Sequence, residues 1–233
     1  FKMQEAQNLF DILILIMIRG LPTTMALTLL ALFFGFAVGI VLALTRVYGP
    51  KPLGWLCQGY ETIFRGIPLL VLLMIFGIGL SRFFAWAGPG VGALFVGAIV
   101  ALALRSAAYQ SEIFRGGILS VDPGQMMAAR SVGMSELQST RHIILPQALR
   151  LSMPGWANEY AVVIKDSSLA VSIGVMEIIY HSDAFRWVYP EHFFGIIVVV
   201  AIIYFLLTYP VTKYVGESMT TKLRQLGLGG GRY

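Results

Sequence analysis

Charged side chains are scarce in this sequence of 233 residues: Asp, Glu, Lys and Arg together make up 12%, against about 25% in soluble globular domains. This scarcity excludes an ordinary water-soluble fold, and the 57% share of hydrophobic residues excludes a disordered chain. A single cysteine, Cys57, allows no intrachain disulfide, and the three histidines lie too far apart to form a local metal-binding motif. No Gly-Lys pair is present, so the P-loop motif for ATP binding is absent as well.

Apolar residues are gathered into runs of about twenty, the length of helix that crosses ~30 Å of hydrocarbon. We therefore predict an all-α transmembrane protein, a single domain over 1–233, with five membrane-spanning helices. The spans are predicted at about 21–45, 60–80, 91–112, 151–173 and 192–212. The basic residues lie beside these runs, as is typical of membrane topology, so the net charge of +5 predicts contact with a lipid bilayer and no nucleic-acid partner.

The segment 151–173 contains several polar residues, and charge asymmetry supports its assignment as a span. With five spans, ten Lys and Arg residues fall on one side of the membrane and four on the other. Cytoplasmic loops concentrate Lys and Arg. The N-terminus is therefore predicted outside and the C-terminus in the cytoplasm, and residues 4–18 are predicted to form a helix lying on the outer interface.

The only long polar insertion on the predicted cytoplasmic side is the loop at about 114–150. Asp122 is predicted to cap a helix that begins at Pro123, and Gln125 has the spacing of a capping box. This helix should end at Gly133. Its small or flexible apolar side chains are suited to filling a groove on another protein. These side chains are Met126, Met127, Ala128, Ala129 and Val132.

A second loop helix is predicted to begin at Ser135, with Gln138 completing a capping box, and to end at Pro146. Two short helices joined by a glycine turn would project from the membrane. From the residues alone, such a hairpin could equally rest on the bilayer or on the protein's own helices. A docking role therefore needs further support.

The spacing of AA at 128–129, Gly133 and IILP at 143–146 resembles the signature loop of ABC importer permeases. The similarity extends to the permeases of polar amino-acid importers of the binding-protein-dependent transport family. The further matching segments are FRGIPLL at 64–70, AAY at 107–109, EIFRGGI at 112–118, LPQA at 145–148 and KDSSL at 165–169. The leading Glu of the loop signature is Met127 here, which removes one charged contact at the docking surface.

The resemblance implies a type I importer fold with a core of five helices in a prokaryotic inner membrane. It implies a second permease copy or a homologous permease, two ABC ATPase subunits that hold ATP and Mg, an extracytoplasmic solute-binding protein and an amino-acid substrate. No cofactor and no enzymatic activity are expected on this chain. The residues expected to couple to the ATPase are Gln125, Met126, Met127, Ala128, Ala129, Arg130, Ser131 and Gly133.

Charged residues within membrane spans usually mark a transport pathway or a paired structural site. Arg105, Tyr109 and Glu112 stand at i, i+4 and i+7, so they share one helical face. Two further polar rows follow in the segment 151–173. They consist of Asn158 with Lys165 and of Glu159 with Asp166, each pair seven residues apart. Lipid offers these faces no partner, so they should meet protein or water.

A free amino acid is a zwitterion, and its binding site needs a cation for the carboxylate and an anion for the ammonium group. We expect Arg105 to receive the carboxylate, and Glu61, Glu159 or Asp166 to receive the ammonium group or a cationic side chain. Tyr109 and Asn158 complete the candidate site. Two structural alternatives remain open at this point. Glu61 and Arg65, at i and i+4, could neutralise each other, and the Lys165–Asp166 pair could lock two helices together.

Two other function classes can be compared with an ATP-driven importer. An autonomous ion-coupled carrier or channel would use Arg105, Glu159 and Asp166 as an ion path, and it would transport solute without nucleotide. A membrane-embedded enzyme is disfavoured, because neither a nucleophile elbow nor a paired-His zinc motif occurs. Two packing expectations are that Gly35 and Gly39 allow close helix contact and that Trp156 anchors a helix at the interface.

Overall fold

The computed structural model describes residues 9–88 and 90–225, and nearly all of them are helical. The α-helices are α1 (Leu9–Tyr48), α2 (Lys51–Gly66), α3 (Leu69–Leu73), α4 (Val91–Leu119), α5 (Pro123–Ser131), α6 (Glu136–Ser139), α7 (Leu145–Asp166), α8 (Ile178–Val188), α9 (Phe193–Val211) and α10 (Ser218–Gln225). Wider π-helical turns occupy Met74–Gly79, Thr140–Ile144 and Thr212–Glu217, and tighter 3-10 turns occupy Ser81–Ala87, Ser167–Ile173 and Pro190–His192. No strand occurs in the described ranges, and the predicted all-α fold is confirmed.

Three helices are long and apolar enough to cross a membrane in the described part of the chain. They are Phe10–Tyr48, Val91–Leu119 and Pro190–Leu223, and a bent helix pair, Lys51–Gly66 with Leu69–Gly79, gives a fourth if it counts as one span. The helix α7, which covers residues 151–166 of the predicted span 151–173, is not among them. Its Asn158, Glu159, Lys165 and Asp166 make it more polar than α1, α4 and α9. The fifth crossing therefore stays a prediction.

Residues 9–18 do not form a separate interfacial helix. Residues 9–18 are the first turns of α1, which continues without interruption through the predicted span 21–45. Ile12 and Ile16 are fully buried against α8 and α9, next to Ile178 and Ile196. This burial within the bundle explains why the segment does not lie on the surface, and residues 4–8 of the predicted helix lie outside the described residues.

The predicted span 60–80 is not one continuous helix, because the chain bends by 102° between α2 and α3. The break falls at Ile67 and Pro68. Proline disfavours the helical region for the residue before it, and Ile67 has extended dihedrals, φ −82° and ψ 130°. The motif at 64–70 therefore forms a corner between two helices rather than the middle of one.

The longest interface within the bundle joins α1 to α4, and two glycines allow their close approach. A Cβ atom on Gly35 would lie 2.7 Å from the Gln110 Nε2 atom, and one on Gly39 would lie 3.1 Å from the Ala107 carbonyl oxygen. The pattern of small residues on α1 thus serves packing within the chain. Helix α4 also packs against α2, α3 and α7, so it is the central element of the bundle.

Helices α5 and α6 form a helical hairpin over residues 122–139, which we call the loop hairpin. The Asp122 Oδ1 atom accepts a hydrogen bond from the Gly124 N–H at 2.6 Å. Gly133 ends the first helix with φ +87°, a conformation that favours glycine. Ser135 and Gln138 form the predicted capping box, at 3.3 and 2.8 Å. The cap, the stop and the second start are therefore confirmed.

Two details of the hairpin differ from the expectation. The side chain of Gln125 does not complete a capping box; its Oε1 atom accepts a hydrogen bond from the Gln147 Nε2 atom at 3.3 Å. Pro146 does not end the second helix. The π-helical turn Thr140–Ile144 leads directly into α7, with Pro146 in its first turn. A wider turn removes the clash between a proline ring and the carbonyl four residues earlier, so the hairpin continues into α7.

Candidate functional site

An ion pair between α4 and α7 lies at the centre of the candidate site. The guanidinium group of Arg105 donates a hydrogen bond to the Asp166 carboxylate, and the two side chains are 20% and 22% exposed. The Arg105 Cζ atom also lies 5.0 Å from the centroid of the Tyr109 ring. A cation near an aromatic face is stabilised by the ring quadrupole. Both charged groups are therefore sheltered yet still reachable.

A second polar contact joins the same two helices, at the residue after Arg105 on α4 and seven residues before Asp166 on α7. The Ser106 Oγ atom donates to the Glu159 Oε1 atom at 2.7 Å, and Gln110 donates to Ser106 at 3.0 Å. Gln110 also donates to the Leu32 carbonyl at 3.2 Å and accepts from the Trp156 indole at 3.0 Å. These hydrogen bonds connect α1, α4 and α7, and they satisfy a carboxyl group that is only 4% exposed.

We call the group formed by Arg105, Ser106, Tyr109, Glu159 and Asp166 the polar centre. Four of the six sequence-predicted substrate residues are thus brought together on α4 and α7. Asn158 is exposed on α7, next to Glu159 in sequence. Glu61 belongs to a separate cluster.

Sequence reasoning missed Ser106, Gln110 and Trp156. Ser106 and Gln110 stand four residues apart in a strongly apolar helix, a spacing that could have identified them. Trp156 was expected to anchor at the interface, but its indole N–H is used inside the bundle.

Glu61 is completely buried and pairs with Arg46 of α1. Its second carboxylate oxygen accepts a hydrogen bond from the Ser111 hydroxyl at 2.5 Å. Arg65 was one expected partner of the Glu61 carboxylate. Its Nε atom instead donates to the Glu61 backbone carbonyl at 3.3 Å. Glu61 therefore joins α1, α2 and α4.

Glu112 extends this cluster along α4. Its carboxylate accepts from Arg46 at 2.6 Å and from Arg115 at 2.7 Å, and Arg65 lies 3.6 Å away. We call the group formed by Arg46, Glu61, Arg65, Glu112 and Arg115 the charge cluster. Although Glu112 shares a predicted face with Arg105, the structure places it in this cluster and not in the polar centre. The two groups occupy different levels of α4.

The loop hairpin presents most of its predicted coupling residues to the outside. Met127 is 68% exposed and Val132 is 77% exposed, while Ala129 faces inward and is 6% exposed. The remaining exposed members are Gln125, Ala128, Arg130, Ser131 and Gly133. Met126 is partly buried against Val121 and its neighbours. The hairpin thus has an anchored face and an outer face on which the apolar side chains of Met127 and Val132 are exposed.

Within residues 9–88 and 90–225, no group of three His, Cys, Asp or Glu side chains is arranged so that it could hold a metal ion. The polar centre carries opposite charges and hydrogen-bond donors but no activated nucleophile. It can bind a small polar molecule, and it has no evident means of covalent chemistry.

A helical membrane protein with a charged centre between its helices and a hairpin that exposes apolar side chains has the features of a membrane transport subunit. Residues 35–214 match the family described as "Binding-protein-dependent transport system inner membrane component". The chain belongs to this family. It is therefore the permease subunit of an importer in the inner membrane rather than an enzyme, and it works with an ATPase and a binding protein.

Curated relatives agree with this assignment. The chain is 37% identical over 192 residues to the "Probable amino-acid permease protein YxeN" of Bacillus subtilis, covering 82% of this chain and 84% of the relative. It is 32% identical to the "Arginine transport system permease protein ArtQ" of the same organism, covering 89% and 92%. Most of the length of both relatives is therefore matched.

Solved structures of ABC transporters share the fold. One, described as an amino acid ABC transporter with histidines, matches with a TM-score of 0.74 and 34% identity, covering 89% of this chain and 94% of the other. Another, an inward-facing form of the MetNI methionine ABC transporter, matches with a TM-score of 0.69 and 22% identity, covering 89% and 97%. The second likeness concerns the fold alone, and both support the type I importer architecture.

Proposed function

We propose that this permease carries polar, charged amino acids by alternating access, and that the polar centre is where the substrate binds. The observation that carries the proposal is the partly exposed ion pair between Arg105 and Asp166. A zwitterion that enters between these side chains offers its carboxylate to Arg105 and its ammonium group to Asp166. Each charge then exchanges one partner for another, which avoids the high cost of leaving a sheltered charge unpaired.

Glu159 lies beside this pair and defines the class of substrate further. Its carboxyl group is held by Ser106 and is almost inaccessible. A cationic substrate side chain near Asp166 would feel this second acidic group. Named relatives include permeases of transport systems for arginine, L-cystine and octopine, all of them amino acids or amino-acid derivatives. These names support an amino-acid substrate with additional polar or charged groups.

A charge swap tests the substrate role. The transporter, with its ATPase and binding protein, is reconstituted in liposomes, and ATPase stimulation is measured with L-arginine, L-glutamine, L-glutamate and L-cystine. We expect Arg105→Ala to abolish stimulation. The double variant Arg105→Asp with Asp166→Arg restores the ion pair and complex assembly, but it does not restore stimulation. The control Lys165→Gln, an exposed cation of α7, should remain stimulated.

Two outcomes would overturn this role. Normal stimulation in Arg105→Ala would remove the carboxylate contact. Full activity in the swapped variant would show that the pair only locks α4 to α7. Transport by the isolated permease without nucleotide would instead support the autonomous carrier.

The loop hairpin is the part of the chain that we propose docks on the ATPase. Its exposed Met127 and Val132 supply flexible and apolar contacts, and its anchored face continues into α7. We further propose that two permeases form the pathway, that a solute-binding protein delivers substrate from outside, and that ATP and Mg bind on the ATPase. The N-terminus lies outside and the C-terminus in the cytoplasm, in agreement with the distribution of Lys and Arg.

Cysteine crosslinking tests the docking. Cys57 is first replaced by serine, and Met127→Cys and Val132→Cys are then combined with cysteines on the ATPase surface. We expect crosslinks whose yield changes when ATP is added. The matched control is Tyr214→Cys, which is 69% exposed but lies outside the hairpin. Equal crosslinking at Tyr214, or crosslinks only to lipid or to the permease itself, would contradict the docking.

A further inference from the structure

A cavity of about 360 Å³ lies at the base of the loop hairpin, where the hairpin, the start of α7 and the C-terminal helix α10 meet. It is separate from the polar centre and uses none of the residues of the charge cluster. Its lining residues are Val121, Asp122, Gln125, Gln147, Arg150, Leu151, Met219, Lys222 and Leu223. The cavity thus combines residues from three elements that are distant in sequence.

Two cations lie at this cavity without a matching number of anions. Arg150 and Lys222 are both exposed, and neither forms an ion pair within the residues that the structure describes. Asp122 is the single acidic residue in the lining, and one of its oxygens already accepts the Gly124 N–H at 2.6 Å. The electrostatic balance of the cavity therefore favours an anionic ligand.

Apart from Gln125 and Gln147, the remaining lining is apolar. Val121 and Leu223 are each 7% exposed, and Leu151 and Met219 complete the apolar wall. A small soluble anion would leave this wall in contact with water. A molecule with an anionic head and an apolar chain satisfies both parts of the cavity. In a membrane protein the most abundant molecule of this chemistry is an anionic phospholipid, and basic pockets between helices are suited to its head group.

We propose that this cavity binds the head group of an anionic phospholipid, with the phosphate between Arg150 and Lys222 and an acyl chain along the apolar wall. The proposal relies on the proposed topology only in placing the cavity at the cytoplasmic leaflet. One wall contains the hydrogen bond from Gln147 to Gln125, at 3.3 Å, which ties α7 to the loop hairpin. A bound lipid therefore supports the hairpin and raises the rate of substrate-stimulated ATP hydrolysis.

The test uses the complete transporter in nanodiscs of phosphatidylcholine, with and without phosphatidylglycerol. Native mass spectrometry counts retained phosphatidylglycerol, a measurement that needs no substrate. We expect the wild type to retain the anionic lipid. We expect the double variant Arg150→Gln with Lys222→Gln to retain it about 30-fold more weakly, since each cation near an anionic surface contributes roughly fivefold. ATPase stimulation by phosphatidylglycerol should be lost in parallel.

The matched control is Lys51→Gln with Arg141→Gln, which removes the same charge from exposed positions outside the cavity. Equal loss of lipid in both double variants would overturn the proposal, as would a wild type that shows no preference for phosphatidylglycerol. Displacement by inorganic phosphate alone would identify a site for a soluble anion and refute the lipid. Size-exclusion chromatography with the ATPase verifies assembly. Because retention is measured without transport, failure here leaves the substrate role of the polar centre to its own test.

Discussion

Removing Arg46 should destabilise the permease strongly, because Glu61 then loses its cation. Glu61 is completely buried and its remaining side-chain partner is the Ser111 hydroxyl. Loss of one partner from a buried ion pair costs about 3–5 kcal/mol. Arg46 is itself 15% exposed, and Glu112 keeps Arg115 at 2.7 Å, so only Glu61 is left without a cation. We therefore expect Arg46→Gln to lower the free energy of unfolding by about 3 kcal/mol.

The assay is reversible unfolding of the purified permease in mixed micelles with increasing SDS. Glu61→Gln should also destabilise. The double variant should lose less than the sum of the two single losses, because it leaves no buried carboxylate without a cation. The control is Arg130→Gln, which breaks an exposed pair with Glu136 at 4.0 Å and should cost at most about 1 kcal/mol. If Arg46→Gln costs no more than this control, or if the two losses are additive, the buried pair does not stabilise the bundle.

Three smaller changes concern two glycines and one helix cap. Gly97→Ala should lower the free energy of unfolding in SDS by about 1–3 kcal/mol, because the added Cβ atom would lie 2.4 Å from the Phe76 carbonyl oxygen. The control Gly59→Ala places a Cβ atom with nothing within 4 Å and should leave this free energy unchanged. Gly133→Ala should lower the free energy of unfolding by about 1 kcal/mol, because alanine is strained at a φ of +87°. The control Gly116→Ala, on an open helix surface, should leave this free energy unchanged or raise it. Equal effects of the two substitutions would contradict this reasoning. Ser135→Ala should remove about 1 kcal/mol from the capping box and speed amide hydrogen exchange in α6, and unchanged exchange would show that the cap is not needed.

The helices could be predicted from the lengths of the apolar runs, but the path of the chain between them could not. The run 60–80 appears continuous to any measure of hydropathy, because hydropathy takes no account of backbone dihedrals. The corner was present in the Ile67-Pro68 pair, whose effect on the backbone is local. Pro146 shows the opposite error. A local rule predicted a stop, but packing of α7 against the bundle keeps the helix intact through a π-helical turn.

The charged residues of the candidate site could be identified from the sequence, whereas their partners could not. Arg105 and Asp166 were recognisable as charges within apolar surroundings, and the structure joins them across 61 residues. Glu61 was recognisable for the same reason, but its cation, Arg46, lies in another helix. Spacing along one helix reveals only neighbours on that helix. Neutral partners such as Gln110 carry still less signal, since they do not stand out by charge.

The uninterrupted passage from the loop hairpin into α7 has a mechanical consequence. Helix α7 has 22 residues and carries Asp166 at its far end, so it spans about 33 Å at 1.5 Å per residue. A tilt of about 5° about its hairpin end would move the Asp166 carboxylate sideways by about 3 Å at this length. Such a movement equals the reach of a hydrogen bond. A small displacement of the hairpin would therefore be large enough, at the far end of α7, to separate Asp166 from Arg105.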